Sequence, residues 1–131
     1  MRFTIIMETV QTPKIRILVV DDDDAVCQML TLMLSDELYL VETTKSVAEA
    51  LGAIEQNAFD GYVMDFKLPD GGGLDVAERI RSKGSKAPII IISGYDPSAV
   101  ELGAERFDIS SCLQKPFSRS TFCSAVKKAI G

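Results

Sequence analysis

Two uninterrupted aliphatic runs, ILVV at 17–20 and IIII at 89–92, constrain this chain more than any other feature, because neither alternates apolar with polar residues. A strand with one face in water alternates. A short aliphatic run bounded by turn residues is instead a strand covered on both faces, as in a parallel sheet between two helical layers. Further strands are predicted at 39–43, 61–64 and 111–113, with the aliphatic ones at 15–20 and 89–92.

The segments between them carry helical periodicity. Val26, Met29, Leu30, Met33 and Leu34 form one stripe, and Phe122, Ala125, Val126, Ala129 and Ile130 another. Ser46 with Glu49 predicts a capping box for a second helix, whose stripe is Val47, Ala50, Leu51 and Ile54. A third helix is predicted near 74–81 after three glycines. A fourth begins with Asp96 as cap and Pro97 in its first turn, and its stripe of Val100, Gly103, Ala104 and Phe107 is thin. Strand-helix alternation of this kind is an α/β fold with a parallel sheet.

At 131 residues the chain is one domain by length, and no apolar run approaches the ~20 residues of a membrane span. Residues 1–14 hold a short apolar stretch at 3–7 interrupted by Glu8, which reads as a flexible extension before a domain at 15–131 and not as a secretory signal. A cytoplasmic location is expected. The net charge of -5 disfavours direct nucleic-acid binding. Cys27, Cys112 and Cys123 share no metal-ligand spacing and read as buried reduced thiols, and the absence of histidine excludes imidazole chemistry in this chain.

Chemistry concentrates where the strands end. Asp21 and Asp22 follow the first strand, Asp65 the third, Ser93 the fourth and Lys115 the fifth. In a parallel sheet the carboxyl ends share one edge, where ligands of such folds bind. Two carboxylates about 4 Å apart repel by roughly 4 kcal/mol at an effective dielectric near 20, so positive charge is required there. A divalent cation with few hard oxygen ligands, Mg2+, fits, and Lys115 is a second source of charge. Asp23 and Asp24 read as a solvated turn, with Asp24 as cap of the first helix. Lys115 precedes Pro116, a bond able to take the cis form. A carboxylate, a metal, a hydroxyl and an ammonium together suit phosphoryl transfer.

ILVVDDD, VMDFKLPDGGGLD, IIIISG and LQKPF, in that order, make residues 15–131 resemble the receiver domain of bacterial response regulators. The resemblance implies a flavodoxin-like, doubly wound five-stranded sheet in the order 2-1-3-4-5 with helices on both faces, an order of which a chemotaxis receiver is one example. It implies Asp65 as phosphoacceptor, Asp22 and Asp65 as direct Mg2+ ligands with the Lys67 backbone carbonyl, and Asp21 acting largely through water. Ser93 and Lys115 match the hydroxyl and ammonium that bond the phosphoryl group. Implied partners are a sensor histidine kinase or histidine phosphotransfer protein, and a downstream protein target reached through the face of the fourth helix, fifth strand and fifth helix. Ser93 would move inward on phosphorylation.

Two departures from the family pattern stand out. Cys112 occupies the switch position where an aromatic residue is usual, and Lys67 and Tyr95 occupy the two positions that tune phosphoryl lifetime, which implies altered, slow autodephosphorylation. The chain is therefore expected to be a phosphoacceptor regulator and not an enzyme acting on other molecules. With no output domain after Gly131, output is expected through protein contacts, unless the chain is a segment of a longer protein.

A phosphatase of the haloacid dehalogenase type would also use a strand-end aspartate, a hydroxyl, a lysine and Mg2+. It needs an acidic pair after the lysine, whereas residues 116–131 contain no Asp or Glu, and Ala25 stands where Thr or Val is usual. A flavodoxin-like nucleotide binder would meet four acids where phosphate should sit. A non-phosphorylated receiver acting as a docking module would not need all five site residues.

Overall fold

The computed structural model describes residues 15–94 and 98–131, so the extension at 1–14, the Asp96 cap with Pro97, and Tyr95 lie outside the described residues. Five strands, β1 (Arg16–Val20), β2 (Leu40–Thr44), β3 (Gly61–Asp65), β4 (Ile89–Ser93) and β5 (Ser111–Gln114), form one parallel sheet in the order β2-β1-β3-β4-β5. The helices are α1 (Asp24–Asp36), α2 (Val47–Gln56), α3 (Gly73–Ser82), α4 (Ser98–Arg106) and α5 (Arg119–Ile130).

The missing alternation is explained by two cores. Leu18, Val20, Ile89 and Ile91 pack with Ala50, Ile54, Val76, Ile80 and Val100 on one face of the sheet, beneath α2, α3 and α4. Ile17, Val19, Ile90 and Ile92 pack on the other face with Leu30 and Leu34 of α1 and Phe122 and Val126 of α5. Each aliphatic run thus feeds both layers in turn. Apolar burial of this kind contributes about 25 cal/mol per Å2, and all eight residues of the two runs are fully buried.

Register sets the edge. Val20 pairs with Met64, Asp65 with Ile92 and Ser93 with Gln114. Asp21 and Asp65 are therefore level, Ser93 lies one residue further along and Lys115 two, at a strand rise near 3.3 Å per residue. Among the described residues, no helix is long and apolar enough to cross a membrane.

Several local expectations need correction. The cap of α1 is Asp23, whose Oδ1 accepts from Ala25 N at 2.8 Å and Val26 N at 3.3 Å, while Asp24 is the first helical residue and pairs with Lys45. Four successive acids look alike in sequence; only the extended backbone of Asp23 turns its carboxylate onto the helix. Ser46 Oγ accepts from Glu49 N at 3.1 Å as expected, but the Glu49 carboxylate accepts from Lys45 N, one residue before the cap. Cys27 is buried, Cys123 is half-buried and Cys112 is exposed. The last follows from the edge position of β5, whose residues alternate in burial where those of β4 do not.

A two-residue antiparallel ribbon between β3 and α3, Lys67–Leu68 with Gly71–Gly72, has no counterpart among the expected strands. At the opposite end of the sheet, Arg81 donates to the carbonyls of Ser85, Ala87, Phe107 and Asp108 at 2.7 to 3.1 Å. These charge-assisted bonds tie the end of α4 to the end of α3.

Candidate functional site

Asp21 is fully buried at the tip of β1, and its main chain is held on both sides. Its N–H donates to Thr44 O at 3.0 Å, and its carbonyl accepts from Cys27 Sγ at 3.1 Å. Asp21 Oδ1 accepts from Asp23 N at 2.9 Å, which leaves Oδ2 to meet Lys115 Nζ at 3.3 Å. Asp65, at the tip of β3, receives the same ammonium on Oδ2 at 3.2 Å. Lys115 is delivered from β5 by its own N–H, which donates to Ser93 O at 2.7 Å, and is followed by a cis bond to Pro116.

One ammonium thus bridges two carboxylates from separate strands, with Asp22 as a third acid nearby. Burial alone would lower the pKa of Lys115, but Asp21 and Asp65 outweigh it and hold the ammonium above its ordinary range. Burial also pushes the Asp21 carboxyl above its ordinary range, with the Asp23 N–H opposing and Asp65 reinforcing. The two shifts have different main sources, burial for Asp21 and the two neighbouring carboxylates for Lys115, and the Asp65 charge adds to both.

Oxygens of Asp21, Asp22 and Asp65 lie within 4.8 Å of one another, graded from buried Asp21 through half-buried Asp65 to exposed Asp22. Few, hard, partly exposed oxygen donors fit Mg2+, which retains several waters. Beside them lies an open cleft of about 570 Å3 lined by Asp22, Asp65, Lys67, Leu68, Pro69, Gly94 and Lys115. Ser93 is buried at the end of β4, and Gly94 lines the cleft. Lys67 N approaches Asp65 Oδ1 at 3.5 Å. Cys112, three residues before Lys115, is exposed on β5.

The structure therefore gathers Asp21, Asp22, Asp65 and Lys115 directly, with Lys67 at the rim and Ser93 beside it. Sequence reading missed Thr44 and Cys27, which hold the Asp21 backbone. Their signal was weak, since a threonine ending a strand and a cysteine inside a helix have ordinary packing roles.

The response regulator receiver domain model matches residues 17–127. The chain belongs to the response regulator receiver family. Receiver domains are phosphoacceptor modules of two-component signalling, and response regulators interact with histidine kinases and downstream effectors. Response regulator MprA of Mycobacterium sp. (strain KMS) is 37% identical over 103 residues, which are 79% of this chain and 45% of that protein. This receiver thus spans less than half of that relative's length.

Among solved structures, the non-phosphorylated HemR receiver domain from Leptospira biflexa superposes with a TM-score of 0.83 at 32% identity, covering 90% of this chain and 95% of that one. Response regulator TrrA from Thermotoga maritima, in complex with Mg2+ and BeF, gives a TM-score of 0.79 at 30% identity, covering 88% and 98%.

Lys115→Met tests the charge balance of this receiver. Both acids lose their cation, and since Lys115 retains some solvent contact the expected loss of metal-free stability is about 1–2 kcal/mol, the lower part of the range for a charged group left without its partner. Saturating Mg2+ should recover most of it. Urea unfolding with and without Mg2+ decides, and an equal loss in both conditions would contradict a shared site for ammonium and metal.

Proposed function

We propose that this receiver domain accepts a phosphoryl group on Asp65 from the phosphohistidine of a sensor histidine kinase or histidine phosphotransfer protein. An Asp65 carboxylate oxygen attacks phosphorus, the P–N bond of the phosphohistidine breaks with its electron pair returning to nitrogen, and that nitrogen takes a proton from water so that the imidazole leaves neutral. The observation that carries this reading is the Lys115 ammonium 3.2 Å from Asp65 and 3.3 Å from Asp21, at the mouth of an open cleft. An ammonium there neutralises a phosphoryl oxygen as charge builds on the transferring group.

Asp22, Asp65 and the Lys67 carbonyl would hold Mg2+, with Asp21 acting through water. When bound, the ion offsets phosphoryl charge and helps to fix the direction of attack. Ser93 supplies a hydroxyl from the tip of β4. The product acyl phosphate adds negative charge beside Lys115 and Ser93, biasing the face built from α4, β5 and α5 toward a form that a downstream protein recognises. Because Cys112 cannot act as an aromatic rotor, that bias passes through Ser93 and α4. The output is a protein contact, without direct nucleic-acid or membrane binding by this domain, in the cytoplasm.

Phosphotransfer profiling against a panel of histidine kinases tests the reading and names the partner. Rapid, Mg2+-dependent labelling by one kinase is expected, together with amide shift changes across residues 95–115 on addition of beryllofluoride. Neither labelling by kinases nor beryllofluoride binding would leave the docking-module reading in its place.

A further inference from the structure

We propose that Asp70 is a positioning residue of the phosphoacceptor site, and that through it the N-terminus of α2 serves as part of the site's scaffold. This rests on the reading of Asp65, Asp22 and Lys67 given above. The Asp70 carboxylate crosses from the loop after β3 to a different helix: Oδ1 accepts from Val47 N at 2.8 Å and Oδ2 from Ala48 N at 3.0 Å. Those are the first two N–H groups of α2.

Every donor of the first turn there has a partner. Ala50 N makes the first bond inside the helix, to Ser46 O, so of the unpaired donors at Val47, Ala48 and Glu49 the helix's own cap handles one, Glu49 N on Ser46 Oγ, and the loop's aspartate the other two. An α-helix leaves about four such donors without partners inside it. A carboxylate placed there also meets the positive end of the helix dipole. The two N–H groups hold the Asp70 carboxyl below its ordinary range, Ala48 contributing most. A lowered value stabilises the fold above the ordinary carboxylate pKa and is lost as pH falls through the folded one, so at neutral pH the contact is fully formed.

What this holds is the rim of the cleft. Asp70 sits at the turn of the ribbon that pairs Lys67 with Gly72 and Leu68 with Gly71. Lys67, Leu68 and Pro69, three of the four residues between Asp65 and Asp70, line the cleft. On its far side the ribbon is fixed by Asp75 Oδ2, which accepts from Gly72 N at 3.0 Å. Gly71 lies at φ 152°, with the same carboxylate where a Cβ would go. One acid therefore anchors the ribbon to α2 and another to α3, and the Lys67 carbonyl is carried between them. Removing the Asp70 anchor leaves that carbonyl free to drift while Asp22 and Asp65 stay in place.

The test is calorimetric titration of Mg2+ alone into wild type, Asp70→Ala, Asp70→Asn and Glu55→Ala, at a temperature where all are folded. Glu55→Ala breaks the ion pairs from the other end of α2 to Arg79 and Lys83, so it lowers stability without touching the rim. Asp70→Ala should bind Mg2+ roughly tenfold more weakly, as loss of an outer partner of a metal ligand commonly does. Asp70→Asn keeps one acceptor and should fall between, which also covers the case in which the alanine variant does not fold. Glu55→Ala should bind as wild type does.

Faster amide exchange at Val47 and Ala48 in Asp70→Asn should accompany the weaker binding. Equal Mg2+ affinity for wild type and both Asp70 variants would overturn the positioning role while leaving the phosphoacceptor reading intact. Absence of Mg2+ binding by the wild type itself would remove the metal-site reading, and this role with it.

Discussion

Asp65→Asn is expected to abolish phosphoryl incorporation and, in the absence of metal, to make the protein more stable. The first effect needs little argument, since an amide oxygen cannot form the acyl phosphate. The second follows from a balance of charges. Asp65 meets Lys115 at 3.2 Å. That attraction is about 5 kcal/mol at an effective dielectric near 20. Against it stand Asp21 and Asp22, both within 4.8 Å, each repelling by at least about 3.5 kcal/mol on the same scale.

On this scale repulsion wins by roughly 2 kcal/mol, which the neutral amide removes. With Mg2+ the gap narrows, because a ligand at 100 times its Kd stabilises by about 2.7 kcal/mol and Asp65→Asn loses part of that linkage. Thermal unfolding of both proteins with and without Mg2+, and intact mass after incubation with acetyl phosphate, measure the two effects. Metal-free Asp65→Asn melting below wild type would mean that Lys115, and not the acid cluster, dominates the site. Phosphate retained by Asp65→Asn would place the acceptor elsewhere.

That balance could be drawn in outline from the sequence because strand ends are easy to read where the strands are aliphatic. ILVV and IIII announce buried strands, and the residue after each run is then at the edge by geometry alone, so Asp21, Asp22 and Ser93 needed no structure to be singled out. Asp65 and Lys115 follow weaker runs and gained weight from their company. The receiver resemblance then supplied strand order, and the observed order β2-β1-β3-β4-β5 agrees with it.

What stayed hidden was contact between distant segments and choice among equivalent neighbours. Asp70 reads as a turn residue in Pro69-Asp70-Gly71, and nothing local says that its carboxylate reaches 22 residues back to Ala48. The ribbon from Lys67 to Gly72 is too short to show periodicity. Asp23 and Asp24 compete for one cap, and backbone conformation decides between them. Cys112 looked like a core thiol because sequence reports its apolar character but not that β5 lies at the sheet's edge. Each of these depends on tertiary placement, which overrides local preference.

Gly73→Ala is expected to lower stability by about 1–3 kcal/mol and to weaken Mg2+ binding and phosphoryl acceptance together. A Cβ built on Gly73 would sit 2.5 Å from the Asp65 carbonyl oxygen, 3.1 Å from Ile91 Cδ1 and 3.3 Å from Met64 Cγ. The two side chains can give way by a few tenths of an ångström. The carbonyl belongs to the backbone of Asp65, the proposed acceptor, which β3 fixes by its pairing with β4 and the following Phe66 N fixes by donating to Ile92 O at 2.8 Å. Either α3 retreats, pulling on the Gly73 N to Phe66 O bond of 3.1 Å, or Asp65 moves. Both disturb the residue on which the proposed phosphoryl transfer takes place. Gly52→Ala is the matching control, since a Cβ there meets nothing within 4 Å inside α2. It should stabilise by about 0.5–1 kcal/mol through helix propensity. The same added methyl thus has opposite signs at two helical glycines. Urea unfolding of both variants, with Mg2+ titration of the folded proteins, would disprove the packing argument if Gly73→Ala proved as benign as Gly52→Ala.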